Sequence, residues 1–230
     1  APSHWNAQPW RFEVDGGGNL KLKAGEALDF ETEQTVDVDV TVTDPWGQTY
    51  AETFTITVND VNEAPTLGAD DATSVAENVG DATVIYDVNG TDPDVGGGND
   101  GSSNFEDLTY SITGGNGGGL FEIDTSSGEI SLASGQTLDF ETAQSHTLTV
   151  QVSDGPGLTD TQVVTINVTD VNDNAPVFSS GATASVNENI STSSVVYDAN
   201  ATDADISSAN NTITYSLSGT DATLFSIDSD

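Results

Sequence analysis

The sequence contains no cysteine and no methionine, and only 3 of its 230 residues are lysine or arginine. Without cysteine the chain can form neither disulfide bonds nor thiolate metal sites. Nucleic acid and anionic membrane surfaces are excluded as partners, because both are bound through cationic side chains. No apolar run is long enough to span a bilayer. The chain begins Ala1-Pro2-Ser3, without initiator methionine or signal peptide, as we expect of an excised fragment or a processed product.

Acidic residues dominate the composition instead. There are 38 aspartates and glutamates, and the formal net charge is -35. Such self-repulsion opposes a compact state unless cations offset it. Two interpretations are open at this point: a solvated acidic surface, or a set of oxygen ligands for a hard cation such as calcium. Disorder is disfavoured, because 35% of the residues are hydrophobic and they alternate regularly with polar ones.

The sequence repeats itself with a period close to the length of an ordinary domain. LDFET occurs at Leu28–Thr32 and again at Leu138–Thr142, and DVN, which begins at Asp60 and Asp170, recurs with the same spacing. Motifs after the linker recur with one position added, because the linker VNEAP of the first copy becomes VNDNAP in the second. We therefore predict three modules: residues 1–62 are the second half of one, residues 63–173 are complete, and residues 174–230 are the first half of another.

Each module has the sequence pattern of a β-sandwich. Residues 36–42 and 148–152 alternate apolar with polar side chains, and so do residues 54–58 and 164–168. These segments are rich in β-branched residues, which is typical of strands with one buried face. Turn signals at residues 44–47 and 154–157 connect paired strands, and no stretch has helical periodicity. The predicted fold class is all-β, with tandem immunoglobulin-like antiparallel sandwiches in a linear array. His146 lies at the position of Val36 in the repeat, so we interpret it as structural rather than as a catalytic base.

The motifs also resemble a known family. The order xEN, TDxD, LDFE, a lone aspartate at a strand end and DVNDNAP is similar to the cadherin repeat over essentially the whole chain. The LDFE form, the glycine-rich loops and the lack of cysteine most resemble the bacterial and marine repeats of large surface adhesins. The resemblance implies three Ca²⁺ ions at each junction between modules, held by the upstream module, the linker and the downstream module.

The resemblance also implies which residues bind calcium. At the junction between the first two modules they are Asp29, Glu31, Asp60, Asn62, Glu63, Asp92, Asp94 and Asp154. At the next junction they are Glu77, Asp139, Glu141, Asp170, Asn172, Asp173, Asn174, Asp203 and Asp205. The first linker is one residue short, which weakens the expectation of an ion bound through a second linker asparagine there.

The resemblance implies a calcium-dependent extracellular adhesion or extender module. Calcium at the junctions would stiffen a rod-like adhesin that is anchored to a membrane through other parts of the protein. The expected partners are calcium, other cadherin-like repeats of the same chain, and either another adhesin molecule, in homophilic cell adhesion, or a surface polysaccharide. The alternative function is a calcium-dependent carbohydrate-binding module, in which Trp5, Trp10 and Trp46 could stack on sugars. No nucleophile–base pair is evident, so an enzyme is not expected.

Overall fold

The computed structural model describes residues 11–94, 108–207 and 209–228. These residues form β-strands and one short 3-10 turn at Ala222–Leu224, and no α-helix occurs among them, which confirms the all-β prediction. Trp5 and Trp10 lie outside the described residues. The strands are β1 (Phe12–Val14), β2 (Leu20–Leu22), β3 (Thr35–Thr43), β4 (Thr49–Thr57), β5 (Asp71–Ala76), β6 (Tyr86–Asp87), β7 (Thr109–Gly114), β8 (Phe121–Ile123), β9 (Glu129–Leu132), β10 (Ser145–Ser153), β11 (Thr159–Thr169), β12 (Val177–Phe178) and β13 (Ala201–Thr202).

The chain divides into two compact units. The first comprises residues 1–67, 90–109 and 152–160, and the second comprises residues 68–89, 110–151 and 161–230. In the first unit β1 pairs antiparallel with β2, and β3 pairs antiparallel with β4 along the whole length of both strands. A small core of Phe12, Val36 and Val38 lies under these strands. The alternation of apolar and polar residues therefore buries one face of β3 in the first half of the strand.

The second unit contains most of a sandwich of two sheets. One sheet has the strand order β5-β11-β10-β7 and the other has β6-β9-β8. Inward residues of the two sheets form a buried core, because every second side chain of a strand points to the same face. The core of this unit comprises Val88, Tyr110, Phe121, Ile130, Leu132, Leu138, Leu148, Val150, Val164, Ile166 and Val168.

One pair of strands in the sandwich is parallel. β5 runs parallel to β11, with Asp71 opposite Val164 and Ala76 opposite Thr169. The pairing is possible because the chain crosses to the other sheet as β6 before it returns, so β5 does not meet β11 through a hairpin. This pairing delivers the segment after β5, which contains Glu77, to the end of β11 and the linker that follows it.

The strand register repeats along with the sequence. Thr66 forms a bridge with Thr91 in the first unit, and at the equivalent positions of the next repeat Val177 of β12 pairs with Thr202 of β13 in the second unit. In both places this contact ties the segment after the linker to the TDxD motif. The same local fold therefore presents two copies of the acidic motifs.

Candidate metal centre

Three carboxylates of the first unit lie close together at the end of β4. Glu31, Asp60 and Asp94 each offer an oxygen atom, and these atoms lie within 4.8 Å of one another. Glu31 comes from the LDFET loop, where the backbone N–H of Thr32 donates to Asp29 Oδ1 over 3.1 Å and fixes the turn. Asp94 comes from the TDPD motif, and its own N–H donates to Asp92 Oδ1 over 3.0 Å. We call this group and its neighbours the first cluster.

The linker and the lone strand-end aspartate complete the first cluster. Asn62 Nδ2 donates to Asp154 Oδ2 over 2.8 Å, and the backbone N–H of Glu63 donates to Asp94 Oδ2 over 3.0 Å. The other oxygen of Asp154 accepts hydrogen bonds from the backbone N–H groups of Gly157 and Leu158 in the turn between β10 and β11. Asp154 therefore shapes a turn with one oxygen and contacts the linker with the other.

The second unit contains two three-carboxylate groups that share Glu141. Glu77, Glu141 and Asp170 form one group, and Glu141, Asp173 and Asp205 form the other, each with oxygen atoms within 4.8 Å. Both oxygens of Glu77 are held by backbone N–H groups, Oε2 by Phe140 and Oε1 by Val171, each over 2.7 Å. We call these residues and their neighbours the second cluster.

Hydrogen bonds hold the remaining predicted ligands of the second cluster in place. Asp139 accepts from the backbone N–H and the hydroxyl of Thr142, each over 2.8 Å, as Asp29 does from the backbone of its own loop. Asn174 Nδ2 donates to Asp173 Oδ1 over 2.8 Å and to Asp205 Oδ1 over 3.1 Å. Asp203 Oδ1 accepts the backbone N–H of Asp205 over 3.1 Å.

Two polar residues that the sequence motifs do not mark join the second cluster. Asn210 Nδ2 donates to Asp170 Oδ2 over 2.8 Å, and the backbone oxygen of Asn210 lies 3.5 Å from Asn172 Nδ2. Hydrogen bonds from Ser207 and then Asn210 lower the pKa of Asp170. Their polar loop carries no repeated motif, so nothing in the sequence connected it with the linker.

The electrostatics separates the predicted ligands into two kinds. Loss of hydration, followed by the charges of neighbouring carboxylates, raises the pKa of five groups. Hydrogen bonds from the backbone and side chains of Thr32 and Thr142 instead lower the pKa of Asp29 and Asp139, so these two are anchored as anions without a metal. The five groups with a raised pKa are Glu31, Glu63, Asp92, Glu141 and Asp173.

Buried oxygen atoms without a hydrogen-bond partner mark the same two places. Among the described residues, side-chain oxygens of this kind lie in the two clusters, and leaving such an atom without a partner is unfavourable. They include Glu31 Oε1, Asn62 Oδ1, Asp92 Oδ2, Asp94 Oδ1, Glu141 Oε1, Asp170 Oδ1 and Asp205 Oδ2. Cations bound within each of the two clusters would give these atoms partners.

The donor set fits a hard divalent cation. Every predicted ligand offers oxygen only, and calcium takes 6–8 oxygen ligands at about 2.3–2.6 Å in flexible geometry. The chain has no lysine or arginine after residue 23 to neutralise the clusters. Arg11 instead pairs with Glu33 over 2.6 Å, and Lys21 pairs with Asp15 over 2.7 Å. The residues present therefore fit Ca²⁺, and they would hold it without any nitrogen or sulfur ligand.

Comparison with known proteins agrees with the motifs. Residues 71–169 match the model of the cadherin domain. The chain is 30% identical over 179 residues to human cadherin-related family member 2, which covers 76% of this chain and 13% of that protein. It is 34% identical over 213 residues to the protein dachsous of Drosophila melanogaster, covering 90% of this chain and 6% of that protein.

Solved structures share the fold. The mouse cadherin-23 EC22-24 structure superimposes with a TM-score of 0.71 and 30% identity, covering 93% of this chain and 66% of that one. The protocadherin gammaB7 EC3-6 cis-dimer structure gives a TM-score of 0.67 and 26% identity, covering 89% and 52%. This chain belongs to the cadherin family. The predicted cadherin resemblance and sandwich fold are thereby confirmed.

The cadherin relatives share a broad class of function. Cadherin relatives are extracellular proteins of the adhesion type, and cadherin domains generally bind Ca²⁺. No enzyme family is indicated by the comparisons. The chain spans only a small part, 13% or less, of curated relatives such as cadherin-related family member 2 and dachsous. No helix among the described residues has the length and apolar character needed to cross a membrane.

Proposed function

We propose that this cadherin chain is a calcium-dependent extender and adhesion module, with Ca²⁺ at each joint between consecutive repeats. The first joint is the linker at residues 60–65 with the first cluster, and the second joint is the linker at residues 170–176 with the second cluster. The modules would then be residues 1–62, 63–173 and 174–230. The observation that carries the proposal is the coincidence of unpartnered buried oxygens, raised pKa values and cadherin motifs at both joints.

The proposed ligands are the seventeen residues that the motifs mark. Within each joint, the LDFET loop, the linker and the TDxD motif of the next repeat contribute, with Asp154 after β10 added at the first joint and Glu77 after β5 added at the second. Glu63 would reach the same ion as Glu31, Asp60 and Asp94, because the carboxylates that raise its pKa, after loss of hydration, are led by Asp94. When bound, the ion supplies positive charge that ties the two modules and the linker together.

Repulsion explains why the joint would need the ion. Two carboxylates about 4 Å apart repel by roughly 1 kcal/mol in water and by about 4 kcal/mol at an effective dielectric constant near 20. Each joint has seven carboxylates among its proposed ligands. Without calcium the linker would loosen while the modules stay folded, and with calcium it would become rigid. Extracellular calcium modules bind at about 10⁻⁴–10⁻³ M, so the array would respond to external calcium.

Scattering and calorimetry on the intact chain test this proposal. Addition of calcium is expected to release or absorb heat, to raise the unfolding temperature and to increase the maximum dimension measured by small-angle scattering. Glu31→Gln and Glu141→Gln should weaken each effect. As matched controls, Asp37→Asn and Asp39→Asn remove one charge each from the exposed face of β3, where they accept hydrogen bonds from Thr55 and Thr53. An unchanged length with no heat, or equal effects of all four substitutions, would reject the calcium joint.

The cellular role follows from the same proposal. As a piece of a surface adhesin, the chain would space or present adhesive modules outside the cell, anchored through other parts of the protein, with homophilic contact as one mode of adhesion. Polysaccharide binding stays a prediction. Trp46 is 87% exposed in the turn between β3 and β4, and retention on insoluble polysaccharide in calcium, lost in Trp46→Ala, would be required to support it.

A further inference from the structure

The N-terminal half-module, residues 11–62, contains a sheet with two open edges. Among the described residues β3 and β4 pair with each other alone, whereas β10 and β11, at the same positions of the repeat, lie between β7 and β5. The inward face of this sheet is open as well. Val42 and Phe54 are 61% and 47% exposed, and their counterparts Val152 and Val164 are 0% exposed. An apolar face between two free strand edges is a surface to which further strands can pair.

The C-terminal half-module, residues 174–228, has strand sequences without strands. Residues 182–187, 197–198 and 214–219 correspond to β5, β6 and β7 of the complete module, yet none of these segments is a strand. They border an open cavity of about 1050 Å³. Its lining includes the side chains of Val186, Tyr197 and Leu217. The strands that these segments would pair with correspond to β4, β2 and β3, which belong to the N-terminal half-module.

The glutamate of the Glu-Asn motif shows the same deficiency. Glu77 is 3% exposed and accepts backbone N–H groups from the LDFET loop and from the linker after β11. Its counterpart Glu188 is exposed and accepts no hydrogen bond from the described residues. The N–H groups that match the two donors of Glu77 are those of Phe30 and Val61, in the N-terminal half-module. Each half-module therefore holds what the other lacks.

We propose that the partner of these surfaces is a second copy of this chain, and that the C-terminal half-module of one copy and the N-terminal half-module of the next together form one complete sandwich. Residues 182–187 pair in parallel with β4 of the other copy, as β5 does with β11, which sets Ala182 opposite Phe54. Residues 214–219 pair with β3, as β7 does with β10. The two copies complete one fold in this contact, rather than touching through finished modules.

The complete module itself favours a second copy over the same chain as the partner. β5 and β11 are parallel, with Asp71 opposite Val164 and Ala76 opposite Thr169. The chain therefore enters β5 at one end of this strand pair and leaves β11 at the other. Segments attached at opposite ends of a module meet each other less readily than they meet the complementary segments of another copy.

β1 determines which residues of the C-terminal half-module take part. Phe12 of β1 and Phe225 both correspond to Phe121 of β8. Phe12 is 7% exposed and packs in a core with Val36, whereas Phe225 is 56% exposed. β1 therefore keeps the place of β8 in the shared sandwich, and residues 225–228 stay outside it.

Sedimentation of the intact chain at increasing concentration tests this inference. Association is expected, and since each copy has one half-module of each kind, it continues into higher oligomers or closes into a ring. The salt concentration should be about 0.15 M, where the screening length of about 8 Å weakens repulsion between copies of net charge -35. The inference uses the proposed division into modules but not the proposed ion, so calcium and chelator are both used, and calorimetry measures calcium binding separately.

Two substitutions each disable one of the two surfaces. Val42→Asp places a charge on the inward face of β3, and Leu217→Asp places one in the cavity of the C-terminal half-module. Each variant alone should be monomeric, whereas an equal mixture should form a one-to-one dimer, because each supplies the surface that the other has lost. Thr41→Asp adds the same charge to the outward face of β3 and should leave association unchanged, and so should Phe225→Ala.

Several results would overturn the inference. They are a chain that stays monomeric in both calcium and chelator, a mixture of the two variants that forms no dimer, and equal losses of association from Thr41→Asp and Val42→Asp. Loss of association in Phe225→Ala would show unspecific apolar aggregation instead. A monomer whose residues 182–187 are protected from amide exchange would show that the chain's own β4 is the partner, which excludes the second copy.

Discussion

Replacing Glu77 with glutamine should destabilise the second joint far more in calcium than in its absence. Glu77 is 3% exposed, and its two oxygens accept the backbone N–H groups of Phe140 in the LDFET loop and Val171 in the linker. Glutamine keeps the shape of the side chain but offers only one oxygen. One of the two N–H groups would therefore face an amide NH₂ group, and the calcium ion would lose a carboxylate.

The magnitude follows from these contacts. A hydrogen bond to a charged acceptor contributes about 1.5–3 kcal/mol, so we take about 2 kcal/mol for the lost bond. Without calcium, removing the charge also relieves repulsion with both Glu141 and Asp170, which offsets most of the lost bond. Calcium at 100 times its dissociation constant stabilises the folded state by about 2.7 kcal/mol, and losing the ion adds this amount to the cost of the lost hydrogen bond. The total loss in calcium is then between about 4 and about 5 kcal/mol.

Native-state amide exchange measures this difference at the joint itself, because it reports the free energy of local opening. Peptides covering residues 138–146 and 163–171 would be followed in calcium and in chelator. Glu188→Gln is the matched control: it alters the Glu-Asn motif of the next repeat, where the side chain is exposed. We expect almost no change from it in either condition. A loss from Glu77→Gln that is equal with and without calcium would refute the proposed role of Glu77.

Three further predictions concern the sandwich of the second unit. Burial lowers the pKa of His146 from its ordinary 6.5, so the unfolded chain binds this proton more readily. The stability that neutral His146 contributes should be fully present above about pH 6.5 and should be lost as the pH drops below it. His146→Val should therefore reduce the loss of stability between pH 8 and pH 5, measured by urea unfolding. Gly115 has a φ of 81°, and a Cβ there would lie 1.8 Å from the carbonyl oxygen of Thr147, so Gly115→Ala should cost more than about 3 kcal/mol. Gly119→Ala, with a φ of 66° and open space, should cost only about 1–2 kcal/mol in thermal unfolding, and equal losses would contradict the clash. Leu132 is fully buried, so Leu132→Ala should cost about 2–5 kcal/mol, and a loss below about 1 kcal/mol would show a loosely packed core.

The sequence was sufficient for the four long strands and for the carboxylates that the structure groups in the two clusters. Alternating residues predicted β3, β4, β10 and β11 because one face of each strand must be apolar to be buried. The repeated motifs then indicated which acidic residues lie together, although these residues are too far apart in the sequence for a local pattern to connect them. Asn210 was missed for the opposite reason: its contact with Asp170 spans 40 residues and belongs to a polar loop without a repeated motif.

Alternation predicts which face of a strand is apolar, but not whether another sheet covers it. Val152 of β10 is fully buried, whereas Val42, at the same position of the repeat in β3, is 61% exposed. The same holds for Val164 in β11 and Phe54 in β4. Both strand pairs have the same alternation of apolar and polar residues. The difference in exposure therefore comes from what packs against each face. That information is tertiary and is absent from any local stretch of sequence.

The charges at the joints explain how the proposed joints would loosen without the modules unfolding. Proposed ligands such as Asp29 and Asp139 also cap turns, and hydrogen bonds from the backbone keep them ionised and in place without a metal. Proposed ligands such as Glu31 and Glu141 have no comparable set of donors, and loss of hydration and neighbouring carboxylates disfavour their charged forms. Removing calcium would therefore leave the turn-capping residues and their loops intact while the central carboxylates repel one another. The joint would lose its rigidity at its centre, and the hydrophobic cores, which contain none of these residues, would keep the modules folded.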